Sequence, residues 1–312
     1  MTIESVILDG APQQPVDHAT TVNGGDPGRP SRRRSGPTWV RRLFRTPSAI
    51  ISLVFMALIV LGSTIGPLIY PRNPIAAIYP PLLPPSVAFP LGTDQLGRDF
   101  LARVLAGGSV TVFVGIAVAL LCLTIGLVIG AIAGFYGGPV DMVLTKVVEF
   151  FQVIPALIIA LVASYLLGAS VPLVVGVLAI TMWPQVARIA RAEARRISTL
   201  GYVESARAAG FSQWRVLVSE AVPNMLPPVI VSATMTAALA ILTESGLSFI
   251  GLTDPQTPSW GSLLSSAQPY MQTAWWLAVV PGLLIFLIVL AVNGLGETMN
   301  DILNPTLSRV KS

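Results

Sequence analysis

Long uncharged stretches alternate with short charged ones along this chain. The stretches 46–71, 104–140, 150–187, 221–243 and 255–296 hold 26, 37, 38, 23 and 42 residues without a single Asp, Glu, Lys or Arg. A helix crossing a bilayer needs about 20 apolar residues, so the first, second and fourth stretches each predict one span. The 38-residue stretch accommodates two, with Gly168-Ala169-Ser170-Val171-Pro172 as the turn between them. The 42-residue stretch divides into a Pro/Ser/Gln-rich outer loop and a last span that opens at Trp275 and Trp276, an interfacial pair. The predicted spans are about 49–70, 109–134, 143–167, 172–192, 226–250 and 274–296. The fold class is an all-α membrane protein with six transmembrane helices.

Local signals refine this pattern. Residues 71–90 contain seven prolines and cannot stay helical for long. Thr93 or Asp94 then predicts a cap for a short amphipathic helix that buries Phe100, Leu101, Val104 and Leu105. Gly126, Gly130 and Gly134 recur every four residues, a smooth helix face for close packing. Pro155 and Pro184 mark kinks, and the Pro227-Pro228 pair marks the start of the fifth span.

Composition and charge narrow the function. Only 11% of the 312 residues are charged, under half the share of a soluble domain. The single Cys122 forms no disulfide framework, and the single His18 leaves the membrane part without a His-based metal site or a Ser-His pair. The net charge of +4 flanks the spans instead of lining one soluble face, which argues for topology and lipid contact and against nucleic acid. Seven Lys/Arg lie in residues 1–45, six in 188–215 and two at Arg309 and Lys311, against none in 168–172 or 251–273. Both termini are therefore expected in the cytoplasm of a multi-pass cell-membrane protein; Arg72, Arg98 and Arg103 in the 71–103 outer loop are the exception. Residues 1–35, rich in Pro, Gly, Asp and Thr, read as disordered, with no cleavable signal peptide.

The most informative polar interlude is 200–223. Leu200, Val203, Ala206, Ala209 and Gly210 can share one face of a short helix, and Gly210 can turn the chain through positive φ. Trp214, Val216, Leu217 and Val218 are expected to pack beneath it, and Pro223 to end the second helix. On spacing alone this is either a projecting helix for a partner or a plain surface connection.

Tyr202, Glu204, Ser205, Ala206, Ala209, Gly210 and Pro223 sit in a segment that resembles the EAA loop of ABC importer permeases. Leu91-Gly92-Thr93-Asp94 with Gly97-Arg98-Asp99 is similar to a signature of the second permease subunit of dipeptide, oligopeptide and nickel importers. Glu244 to Leu252 and Pro258-Ser259-Trp260-Gly261 resemble two later signatures of that group. The four motifs run in register over about residues 90–305; Glu220, Ala221, Val222 and Asn304 depart from the pattern. The resemblance implies a coupling helix between spans four and five that takes up the motion of an ATPase. It implies a division into a cytoplasmic tail over 1–45, a first span with its outer loop over 46–105, a permease core over 106–305 and a cytoplasmic tail over 306–312. The implied partners are a homologous second permease subunit, two cytoplasmic ABC ATPase subunits, an extracytoplasmic substrate-binding protein and membrane lipid. No Walker A sequence occurs, so ATP and Mg belong to the ATPase partners and this chain is not an enzyme.

The implied cargo is di- or oligopeptide, with nickel chelates and glutathione as alternatives within the same architecture. A stand-alone secondary transporter competes with this reading, but such carriers place ionisable residues at mid-membrane and the sequence offers little there. Glu244, expected near the outer end of span five, reads as a helix-end or inter-subunit hydrogen bond, or as a substrate contact. Trp260 reads as part of an outer gate or as an interfacial anchor.

Overall fold

The computed structural model describes residues 46–254 and 256–303. The expected tails over 1–45 and 306–312, and Asn304, lie outside the described residues. Among those described the chain is helical, with a single isolated bridge, Thr93 to Asp99, in place of any strand. Five helices are long and apolar enough to cross a membrane, and a bent pair raises that number to six if it counts as one span.

Helix α1 (Pro47–Ile69) starts on a proline whose missing N–H costs nothing at the first turn. Its large residues, such as Leu58 and Leu68, face outward, while Ala49, Ser52 and Ser63 face in. Those small residues let neighbouring helices approach closely: a Cβ on Gly108 would lie 2.2 Å from the Ser63 hydroxyl, and one on Gly294 would lie 2.5 Å from that of Ser52.

Helix α2 (Phe100–Tyr136) runs for 37 residues, about 55 Å, so it overshoots a bilayer core. The expected short amphipathic helix is its first turns. Neither Thr93 nor Asp94 caps it; Asp99 does, accepting from the Ala102 amide at 3.0 Å. The boundary expected at 105/106 therefore falls inside a continuous helix. Phe100 and Val104 are buried, whereas Leu101 and Leu105 are only half-buried.

Gly126, Gly130 and Gly134 form the seam with helix α5 (Val171–Ser198). Added Cβ atoms would lie 2.9 Å from Ala187 N, 2.4 Å from Ala187 O and 2.2 Å from Arg191 O respectively.

Helices α3 (Gly138–Val153) and α4 (Ala156–Leu167) form the bent pair, at an angle of 73°. Pro155 excludes helical geometry from the residue before it, and Ile154 is accordingly extended at φ −81°, ψ 119°. Pro184, by contrast, is carried inside α5 without a break. The turn expected at 168–172 is present: α4 ends at Leu167, and Ser170 caps α5 through the Leu173 amide.

The segment before the fifth predicted span departs most from expectation. Short helices α6 (Gly201–Ala208) and α7 (Gln213–Val216) lead into a π-helical turn, Leu217–Ala221, and then α8 (Val222–Phe249) without interruption. Pro223 opens α8 instead of ending a helix, and Pro227 and Pro228 lie inside it. The widened turn shifts the hydrogen-bond register just where Pro223 supplies no donor.

The stretch expected as an irregular outer loop contains helix α9 (Trp260–Ala267), held by a capping box between Ser259 and Ser262. Helix α10 (Trp276–Leu303) begins at the predicted Trp pair.

Two hydrophobic clusters organise the bundle. One joins α2, α5 and α8 and continues into Val203, Val216 and Leu217. The other joins α1, the start of α2, α9 and α10 around Phe100 and Trp260.

Candidate coupling site

Helix α6 touches the rest of the chain through few side chains. Val203 is fully buried in the first cluster and Ala206 is half-buried against it. Tyr202, Glu204, Ser205, Ala209 and Gly210 are exposed, as is Pro223. Arg207 latches the helix from the side. Its guanidinium stacks over Phe135 at 5.1 Å and donates to the Ser198 carbonyl at 3.4 Å. In the sequence Arg207 is one of six basic residues that mark topology over 188–215; the fold brings Phe135 of α2 beneath it.

The α6–α7 turn depends on Gly210. Its φ is +83° and an added Cβ would meet nothing within 4 Å, so the requirement is conformational, not steric. Ser212 caps α7, and Val216 and Leu217 are buried beneath the turn as expected. Trp214 and Val218 are not; they are 60% and 48% exposed. Tyr202, Phe211 and Trp214 each leave a large apolar side chain in the open, with Arg215 over the Phe211 ring at 4.6 Å. All three lie on α6, α7 or the turn between them. A cavity of about 620 Å³ opens between the α2–α3 turn, the end of α5 and α6, with Asp141, Arg195, Glu204 and Arg207 among its walls. Asp141 is paired across that region with Arg191, with 2.7 Å between Oδ2 and Nη2.

Residues 126–309, which include this whole region, match the family described as "Binding-protein-dependent transport system inner membrane component". The chain belongs to this family. Residues 38–85 also match the N-terminal TM domain of oligopeptide transport permease C. A putative peptide transport system permease protein of Brucella suis is 36% identical over 86% of this chain and 90% of its own length. The dipeptide transport system permease protein DppC of Haemophilus influenzae is 35% identical over 84% and 91%. The glutathione transport system permease protein GsiD of Pectobacterium atrosepticum is 35% identical over 72% and 74%.

At the other end of this permease the signature at 91–99 forms a compact knot. Asp94 accepts from the Leu96 and Arg98 amides and pairs with the Arg98 side chain at 2.6 Å and with Arg103 at 3.4 Å. Asp99 accepts from the Tyr70 hydroxyl and from Arg72, each at 2.8 Å. Burial, and then the bond to Asp99, push the Tyr70 hydroxyl up to about 12. Gly97, at φ +72°, is required because a Cβ would lie 1.8 Å from the Tyr79 carbonyl oxygen. The signature thus anchors the 71–99 loop onto the start of α2.

Trp260, expected at an outer gate or as an interfacial anchor, and Glu244, expected as a helix-end or inter-subunit hydrogen bond or a substrate contact, are both internal, each 1% exposed. Glu244 accepts from the Ser248 hydroxyl at 2.5 Å, with Ser245, Ser259 and Thr111 also on its carboxyl. Trp260 donates from Nε1 to the Val104 carbonyl at 2.9 Å, and its ring lies against Gly107 and Gly108. Both therefore bind α9 to α2 and α8, because small residues on those helices leave room for them.

Proposed function

We propose that this chain is the transmembrane permease subunit of an ATP-driven importer for di- and oligopeptides. It forms half of a translocation path and couples it to cytoplasmic ATPase subunits. The observation that carries this reading is the construction of α6. Its outer side is exposed, while its single deep anchor, Val203, sits in the same cluster as α2, α5 and α8.

A push on Tyr202, Glu204, Ser205, Ala206, Ala209 or Gly210 then reaches the membrane helices by two rigid routes. One runs through Val203 and Arg207 to α5 and α2. The other runs through α7 and the π turn, past Pro223, directly into α8. Close-packed interfaces shift as units and do not deform gradually, so a displacement of α6 tilts whole helices.

In this account the bent pair counts as one of six spans, α6 is the coupling helix between spans four and five, and both termini are cytoplasmic. The basic residues at 188–215 support that orientation. The partners are a homologous second permease, two ATPase subunits that carry ATP and Mg, and an extracytoplasmic binding protein. Peptide as cargo rests on the similarity to the Brucella and Haemophilus permeases. The similarity to the glutathione permease supports a second reading, in which the same machinery carries glutathione.

The experiment is ATPase activity of the complex, reconstituted in lipid with its binding protein and titrated with short peptides, glutathione and a nickel chelate. Stimulation by short peptides is the expected result. Stimulation by glutathione or nickel chelate alone overturns the cargo, and failure of any ATPase to co-purify overturns the coupling role.

A further inference from the structure

Among the described residues, polar side chains gather along a crevice on the spanning helices. A cavity of about 270 Å³ lies between the α3–α4 break, the middle of α5 and Leu239 of α8, and Gln152, Thr181, Gln185 and Arg188 line it. Thr181, Gln185 and Arg188 follow i, i+4, i+7 spacing, one face of a helix. Counted at ~1.5 Å per residue from Val171, they lie about 15, 21 and 26 Å along α5. The stripe therefore runs from mid-bilayer toward the α6 end. A second cavity of about 200 Å³ between α2, α3 and α5 shares Gln152 and Arg188, so the two side chains stand where the crevices meet.

Two independent arguments make this face an aqueous one. Gln152, Gln185 and Arg188 are exposed, yet polar side chains on spanning helices turn to a protein interior or a water-filled cavity, not to lipid. The backbone gives the second argument. Ile154 and Pro155 are both extended, and Pro155 has no N–H. Non-helical backbone at membrane depth persists only where protein covers it or where it lines water.

The charges add a direction. Arg191 is paired with Asp141, Arg196 with Glu193 and Lys146 with Glu149. Arg188 has no acidic partner among the described residues. A guanidinium held free beside two amides and a hydroxyl matches a short peptide, the fork to its carboxylate and the amides to its backbone.

We propose that this crevice is the subunit's wall of the translocation path and that Arg188 contacts the carboxylate of a short peptide passing through it. The inference rests on the importer reading above and names the lining of that path.

The test uses the complete reconstituted complex on a Cys122→Ala background. Gln152→Cys, Thr181→Cys and Gln185→Cys are probed with a charged, membrane-impermeant methanethiosulfonate, with Leu58→Cys on the outward face of α1 as control. ATP-driven uptake of alanyl-alanine is measured in parallel. The three crevice cysteines are expected to label, and alanyl-alanine with its binding protein to slow them. Uptake by the parent complex with crevice labelling no faster than at Leu58→Cys overturns the path assignment. Labelling without any uptake of alanyl-alanine by the parent complex removes the peptide reading and the carboxylate contact with it.

Arg188→Gln leaves Arg191, Arg195 and Arg196 to hold topology, so insertion is expected to be normal. Peptide imported per ATP should fall about tenfold, the scale of one charge-assisted hydrogen bond; Arg188→Lys should retain most of it. An unchanged ratio in Arg188→Gln overturns the contact. So does a defect confined to vesicles containing phosphatidylglycerol and absent in pure phosphatidylcholine, which would assign Arg188 to lipid phosphate.

Discussion

Asp99 serves as the cap of α2 and as the anchor of the outer loop with the same carboxylate. Its Oδ1 takes the Ala102 amide, and its Oδ2 takes Tyr70 and Arg72. Asp99→Ala should therefore cost more than Tyr70→Phe, because the lost cap alone is worth about 1 kcal/mol; thermal unfolding in detergent checks the order. The Tyr70 hydroxyl titrates at about 12 in the folded protein, above the ordinary value of about 10. A raised pKa stabilises the protonated form, so its contribution is complete below about pH 10 and fades between about pH 10 and 12. The difference in melting temperature between the parent protein and Tyr70→Phe should thus stay flat over about pH 6 to 9; a difference that shrinks within that window contradicts the assignment. The sequence displayed this signature clearly as a string. It could not reveal that Tyr70 and Arg72, 29 and 27 residues away, close the knot, because that contact exists only after the 71–99 loop has folded back.

Helix packing follows from small residues, and the four-residue glycine repeat in α2 was legible for that reason. Its partner was not: Ala187, Ala190 and Ala194 of α5 lie more than 50 residues on, and nothing local pairs them with Gly126, Gly130 and Gly134. Gly130→Leu should destabilise the bundle by about 1–3 kcal/mol through overpacking, whereas Gly176→Ala, with nothing within 4 Å, should be neutral. The yield of monodisperse protein after mild heating separates the two, and equal behaviour would contradict the seam. The prolines do not all act alike in the fold. At Pro155 the chain does break, but Pro223 opens α8 directly after a π turn, and Pro227 and Pro228 lie inside that helix. The buried positions of Glu244 and Trp260 escaped the sequence in the same way. Glu244 bonds to Ser245 and Ser248 of its own helix, whereas Trp260 is received by Val104, Gly107 and Gly108 of α2 and opens α9, an element the composition of that loop concealed.

At the scale of the whole molecule, two clusters divide the labour. The cluster around Phe100 and Trp260 fixes α1, α9 and α10 to the start of α2. The cluster around Val118, Leu178 and Met225 extends without interruption to Val203 and Leu217 beneath α6. The helical class and the approximate spans follow from long uncharged runs, which the bilayer thickness makes readable. The mechanical link from α6 to α8 does not, since it depends on continuity through the π turn. The central claim is that α6 transmits force, and Gly210 tests it most directly. An added Cβ at Gly210 meets nothing within 4 Å, so Gly210→Pro should leave insertion and the packing of the bundle intact. It forbids φ +83° and so reorients α6 on its base. The deciding measurement is peptide imported per ATP hydrolysed by the reconstituted complex. The account predicts that Gly210→Pro hydrolyses ATP with uptake at the level of vesicles lacking ATP; an unchanged ratio would contradict it.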